Sequence, residues 1–282
     1  MKNFMSLQKE YSDYDKCGIV ILPIPYEATV SYGKGCSKAP EAIIRASNEL
    51  EPYDEEIKKE ACFEKGICTL EPINSEKIHD LVYEKAKKIV NDNKFLVSIG
   101  GEHSISIGIV KALKEKYKLS VLQFDAHADL KYSFEGSQFN HACIARRIFP
   151  LCRSLVQFGV RSLDIDEHNF ILENKDKIKT FFAKDIYDNE KWMQEAIDAL
   201  DENVYITIDV DGFDPSIIPH TGTPEPGGLD WYTVINFFKK VFKEKNVVGF
   251  DVVELSPNKY SRASDFTIAK LIYKMIGYRF LG

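Results

Sequence analysis

Three short stretches of the chain concentrate side chains that bind metal ions: Gly100-Gly101-Glu102-His103-Ser104, Asp125-Ala126-His127-Ala128-Asp129 and Asp209-Val210-Asp211-Gly212-Phe213-Asp214-Pro215. Between them they offer four carboxylates (Asp125, Asp129, Asp209, Asp211) and two imidazoles (His103, His127). An oxygen-rich set with a minority of imidazole and no thiolate suits manganese or magnesium and disfavours the sulfur-rich sites of zinc. Brought together with neutral imidazoles, the four carboxylates repel one another unless cations balance them, and two divalent ions would do so. A pair of ions about 3.5–4 Å apart holds water as hydroxide near neutral pH and clamps developing charge, so the expected reaction class is hydrolysis and the expected cofactor two Mn2+ per chain. Each residue also has a plain reading. A lone His103 after two glycines marks a helix start, and Asp209 and Asp211 suit turns or N-caps.

Those residues need a scaffold that brings them to one place. Apolar runs of strand length recur at Gly18–Leu22, Phe95–Ile99, Leu119–Phe124, Leu155–Gly159, Val204–Ile208 and Val247–Val253. Segments of helical period lie between or after them, at Ser75–Asn91, Ile105–Tyr117, Lys191–Leu200, Trp231–Phe242 and Ala263–Ile276. Strand and helix in alternation predict an α/β chain with a doubly wound parallel sheet. In such sheets ligands sit beyond the carboxyl ends of the strands, where the three clusters fall. With extended backbone, Asp125, His127 and Asp129 share one side, as do Asp209 and Asp211. No linker or repeat divides the 282 residues, so 1–282 reads as one domain. The Pro/Gly-rich stretch Pro215–Gly228 is long enough to be a functional loop.

Composition excludes several function classes. A formal charge of −6 with no Lys/Arg-rich block argues against nucleic acid as a partner. Hydrophobic residues at 44% with charged residues at 28% describe a folded chain and not a disordered one. No run approaches the roughly 18 apolar residues of a membrane helix, and Met1–Asp15 lacks the apolar core of a signal peptide, so a cytoplasmic location without membrane contact is expected. Six scattered cysteines without a CxxC pair read as free buried thiols.

In order and content, these motifs resemble those of the ureohydrolases, the arginase and agmatinase group. The likeness runs from Pro23-Ile24-Pro25-Tyr26 and the Gly33–Ser47 segment through GGEHS (100–104), DAHAD (125–129), TIDVDGFDP (207–215), TGTPEPGG (221–228) and DVVELSP (251–257). The resemblance implies an arginase-like three-layer α/β/α fold around a mainly parallel sheet, with a binuclear manganese centre. His103 would bind one ion, His127 and Asp211 the other, Asp125 and Asp209 both, and Asp129 would bind the first ion and hydrogen-bond the bridging hydroxide. It implies that His141 carries a proton to the leaving amine and that Glu254 grips the guanidinium, whose planar permanent charge suits paired hydrogen bonds to a carboxylate. It also implies a homo-oligomer, commonly trimer or hexamer.

The implied reaction splits a small guanidino compound into urea and an amine. The loop Leu130–Asn140, with Tyr132, Phe134 and Glu135-Gly136, resembles the agmatinase version, which makes agmatine the expected substrate and putrescine the expected product. Lys131 keeps acidic substrates open, so guanidinobutyrate, arginine and formiminoglutamate stand behind agmatine. Other classes are a non-enzymatic scaffold binding metal or ligand, and a two-metal deacetylase or phosphoesterase. Two positions depart from the common family pattern: Glu102, where Asp is usual, bears on the orientation of its neighbours, and His220, where Gly often stands, would narrow the pocket.

Overall fold

The computed structural model describes residues 3–189 and 191–280. Its framework is a sheet of eight parallel strands: β1 Ile19–Ile24, β2 Ile67–Thr69, β3 Phe95–Gly100, β4 Leu119–Phe124, β5 Leu155–Val160, β6 Ile178–Phe182, β7 Asn203–Asp209 and β8 Asn246–Val253. The order across the sheet is β2-β1-β3-β8-β7-β4-β5-β6. The expected parallel α/β architecture is what the chain adopts, and all six anticipated strands are present. The two unanticipated strands lie at the edges. β2 has three residues, too few for a pattern, and β6 (Ile-Lys-Thr-Phe-Phe) breaks its apolar run with Lys179 and Thr180.

Among the described residues eleven α-helices connect and cover the strands: α1 Lys9–Ser12, α2 Ala39–Ser47, α3 Ala61–Lys65, α4 Ile78–Asn91, α5 Ser106–Leu113, α6 Ile144–Ile148, α7 Ile165–Glu173, α8 Ala183–Asp188, α9 Trp192–Asp198, α10 Trp231–Glu244 and α11 Ala263–Tyr278. Strand side chains alternate between two cores. Val20, Leu22, Leu96, Val121 and Tyr205 pack under α4, α5 and α6, while Ile21, Val97, Phe124, Ile206 and Phe250 pack under α2, α10 and α11. Three layers result, α/β/α. A parallel sheet covered on both faces needs strands that are apolar on both sides, which is why the central strands read as largely apolar runs. Each fully buried Val, Leu or Ile contributes about 1.5–3 kcal/mol.

The four central strands, β3-β8-β7-β4, all carry chemistry at their carboxyl ends. Two glycines permit the tight packing there. A Cβ on Gly101 would lie 2.0 Å from the Tyr26 carbonyl oxygen, and one on Gly212 would lie 2.7 Å from the Phe124 ring. Any larger residue would push apart the turns that hold the carboxylates.

Candidate metal centre and substrate cavity

The central strands bring all six predicted ligands to one place. Single donor atoms of His103, Asp125 and Asp129 lie within 4.8 Å of one another, and so do those of Asp125, His127 and Asp211, so Asp125 belongs to both groups. His103 Nδ1 stands 3.2 Å from Asp129 Oδ2, 3.3 Å from Asp125 Oδ2 and 3.4 Å from Asp209 Oδ2. His127 Nδ1 lies 3.0 Å from Asp211 Oδ2 and 3.6 Å from Asp125 Oδ1. The convergence does not come from extended backbone, as expected, but from turns. Asp129 has φ +52°, and Asp209 caps a one-turn 3-10 helix by accepting from the Asp211 N–H at 3.0 Å.

Beneath the ligands, one polar residue in each of six neighbouring strands occupies the same level of the sheet. Ser98, Asp251, Thr207, Gln123, Gln157 and Thr180 are successive register partners. From this row Gln123 Nε2 donates to Asp125 Oδ2 at 2.8 Å and is itself held by Gln157. Thr207 Oγ1 donates to Asp251 Oδ1 at 2.7 Å, so its contact of 2.9 Å with His103 Nε2 is one in which the ring N–H donates. That leaves His103 Nδ1 turned to three carboxylates, a buried ring nitrogen without a hydrogen-bond partner. Three carboxyl groups around that nitrogen favour a positive charge there, carried by a proton on the ring or by an ion in its place, and the donor set is the hard, oxygen-rich kind that divalent ions take. The residues therefore fit a metal.

Acid strengths follow the same crowding. Burial, then the neighbouring Asp125 charge, pushes Asp129 up to about 7, and burial with Asp211 and Asp125 pushes Asp209 well above the carboxylate range. Burial opposes charge on His127, but Asp125 and Asp211 outweigh it and raise the ring to about 12. Burial, reinforced by Glu102 and Asp211, also pushes Glu254 up to about 8.

A cavity of about 300 Å³ opens over this cluster, lined by His127, Asp129, Asp209, Asp211, His141 and Glu254 among others. Glu254, at φ +64° after β8, is anchored through Oε1 by the His103 backbone N–H at 2.7 Å. His141 starts a short turn capped by Asn140 and packs edge-on to Phe134 at 6.0 Å; burial lowers its basicity. Glu135 and Gly136, both at positive φ, close a tight turn that carries Phe134 to the cavity wall. His220 does not narrow the pocket. Its Nδ1 meets Ser264 Oγ at 2.7 Å, on the side of α11.

Lys131 behaves differently from expectation. Its ammonium is held by Asp164 and by Glu167, the latter at 3.3 Å, and the same two carboxylates form the capping box of α7. Arg161 was not anticipated at all. Its guanidinium binds backbone carbonyls of Asp211 at 2.6 Å and Glu225 at 2.8 Å, tying the ligand turn to the Pro215–Gly228 loop. The signal available was its place directly after the β5 run, where an unpaired cation seldom lacks a task.

Such a donor set at the carboxyl ends of central parallel strands is one that could hold divalent cations. Residues 17–277 match the model of the Arginase family, and the chain belongs to that family. It is 42% identical over 279 residues, 95% of this chain and 90% of the relative, to the N(1)-aminopropylagmatine ureohydrolase of Synechocystis sp.. It is 36% identical, over 94% of this chain and 93% of the relative, to the agmatinase of Pyrococcus horikoshii. The crystal structure of the agmatine ureohydrolase of Thermoplasma volcanium superposes with a TM-score of 0.88 at 30% identity, covering 100% of this chain and 95% of that one. The chain is thus similar to agmatinases and related ureohydrolases. Among the described residues no helix is long and apolar enough to cross a membrane.

Proposed function

We propose that the chain hydrolyses the guanidino group of an agmatine-type amine, with two manganese ions as cofactor, and that the N(1)-aminopropyl derivative of agmatine is a better substrate than agmatine itself. The observation that carries the preference for an amine is Lys131. Among the described residues it is the one lysine or arginine lining the cavity, and Asp164 and Glu167 already claim its charge. The mouth is left net negative, which favours a cationic tail and gives the carboxylate of arginine, guanidinobutyrate or formiminoglutamate no free partner. Past Lys131 and Phe134 the cavity continues as a groove in which Asp164, Asp166, Glu167 and Glu173 outnumber Lys131 and Arg146, the latter stacked on the Phe170 ring, and this acidic excess suits a longer polyamine. The name of the Synechocystis relative supports the same choice.

His103, Asp125, Asp129 and Asp209 would hold one ion, and Asp125, His127, Asp209 and Asp211 the other. When bound, the pair supplies a water-derived nucleophile at neutral pH and stabilises developing negative charge. Glu254, one oxygen fixed by the His103 N–H, offers the other to the guanidinium and sets its carbon over the metal centre. Asp129 accepts a hydrogen bond from the attacking water. The bond from carbon to the chain nitrogen then breaks, and His141 delivers a proton to the departing amine.

Urea release by manganese-loaded protein tests this reading, with N(1)-aminopropylagmatine, agmatine, arginine, guanidinobutyrate and formiminoglutamate compared side by side and formamide also assayed. The expected order of kcat/KM places the aminopropyl compound first, agmatine second and the carboxylated compounds far behind. Preference for a carboxylated compound would overturn the reading of Lys131, and acetate or phosphate release without urea would overturn the reaction class.

A further inference from the structure

Glu102 is completely buried beside the ligand His103, and the steps above give it no task. Four donors converge on it. The Ala28 and Thr29 backbone N–H groups each reach Oε2 at 2.6 Å, Thr29 Oγ1 reaches Oε1 at 2.9 Å, and Ser104 Oγ reaches Oε1 at 2.5 Å. These fill the roughly four lone-pair sites that a carboxylate offers. The tight approach of Gly101 to Tyr26 brings the two segments together, with Glu102 N–H donating to the Tyr26 carbonyl at 2.8 Å.

The chain of bonds continues to His141. A threonine hydroxyl has one proton and two acceptor sites. Thr29 gives its proton to Glu102, so it only accepts from other groups. Two groups of His141 approach it, the backbone nitrogen at 3.2 Å and ring Nδ1 at 3.4 Å. The backbone N–H is a donor by nature, and Nδ1 must be one too, since the hydroxyl proton is already committed. His141 is therefore protonated on Nδ1, with Nε2 left bare. Contacts of this length in substrate-free enzymes commonly tighten when substrate binds.

We propose that Glu102 and Thr29 are positioning residues for proton transfer: Glu102 fixes the direction of the Thr29 hydroxyl, and Thr29 fixes the tautomer of His141. The inference rests on His141 being the proton carrier of the proposed reaction. Nε2 takes a proton from water and gives it to the amine nitrogen as the carbon–nitrogen bond breaks, while Nδ1 keeps its own proton throughout. The transient positive charge on the ring lies two hydrogen bonds from the Glu102 carboxylate, an arrangement that also steadies a catalytic imidazole when an acid stands behind it. The histidine is held in place by chemistry that begins 112 positions earlier in the chain, at Thr29.

The first test needs no mutation. Nitrogen-15 NMR of the full-length, magnesium-loaded protein, with the His141 signal assigned by its loss in His141→Asn, should show Nδ1 protonated and Nε2 bare. An Nε2–H tautomer in the wild type would overturn the proposal. The second test compares Thr29→Val with Thr29→Ser in manganese-loaded enzyme. The valine variant should bind metal normally, keep KM within about two-fold and lose roughly 10- to 100-fold in kcat, with the Nε2–H tautomer appearing, and serine should restore both. Wild-type kcat or an unchanged tautomer in Thr29→Val would contradict it. Failure of the wild type to release urea from any guanidino compound would sink the proposed reaction, while the tautomer measurement would still decide the hydrogen-bond chain.

Discussion

Asp54-Glu55-Glu56 and the Asp125/Asp129/Asp209/Asp211 set are both dense in carboxylates, but their counter-charge comes from different places. Lys274, almost fully buried, reaches Asp54 at 3.1 Å, Glu55 at 2.8 Å and Glu56 at 3.2 Å, and Lys239 and Tyr278 also bind Glu56. Burial alone would weaken Glu56 as an acid, but Tyr278, Lys239 and Lys274 outweigh it and hold the group down at about 2. At the carboxyl ends of the central strands no lysine or arginine pairs with the four aspartates among the described residues, and Asp129 and Asp209 are pushed up. An acidic cluster with its own cations fastens α11 to a loop. One without them has to take its cations from solution, and that distinction separates a staple from a site.

Removing one member should show the contrast most sharply at the carboxyl ends of the central strands. Asp125→Asn removes the carboxylate common to both ligand groups, so urea release should fall by at least about 1,000-fold and bound metal drop below two ions per chain. Near-normal turnover with full metal loading would refute the assignment. Lys274→Met should act on stability instead. It leaves the buried Asp54 unpaired, at a cost of about 3 kcal/mol, and lowers Tm by several degrees without changing kcat of the folded protein.

The pH dependence sharpens the same point. Glu56 titrates lower in the folded chain than its ordinary 4.5, so its contribution to stability is present above that value and is lost as pH falls towards about 2. Chemical denaturation at stepped pH should find this slope in the wild type and a shallower one in Lys274→Met; equal slopes would mean that Lys274 does not hold Glu56. The smallest effect belongs to the cavity mouth. Asp164→Asn should raise KM for agmatine a few-fold, more at low salt, with kcat unchanged and stability nearly unaltered, because asparagine caps α7 as well as aspartate does. An unchanged KM at low salt would show that the mouth charge does not steer the substrate.

Much of this is legible in the amino-acid sequence. Central parallel strands are buried on both faces, so their apolar runs stand out, and the ligands follow them directly. β2 and β6, at the sheet edges, carry no such run. The polar row from Ser98 to Thr180 is visible as a polar interruption in each strand, but its meaning lies in register, which only the folded sheet supplies. The pairing of Lys131 with Asp164 and Glu167, the link from Thr29 to His141, and the turn of His220 towards Ser264 join residues far apart in the chain. For that reason Lys131 reads in sequence as an open cation and His220 as an obstruction. Extended backbone is likewise the simplest way for Asp125, His127 and Asp129 to converge, whereas turns achieve it.

We propose above that the buried carboxylates at the carboxyl ends of the central strands form a two-ion centre for cleaving a guanidino group. Metal-stripped protein titrated with manganese, with bound metal and urea release from agmatine followed together, tests it most directly. Urea should be absent without metal, and the rate should rise to a plateau at two ions per chain. Full activity at one ion, or urea release from the metal-free chain, would contradict it.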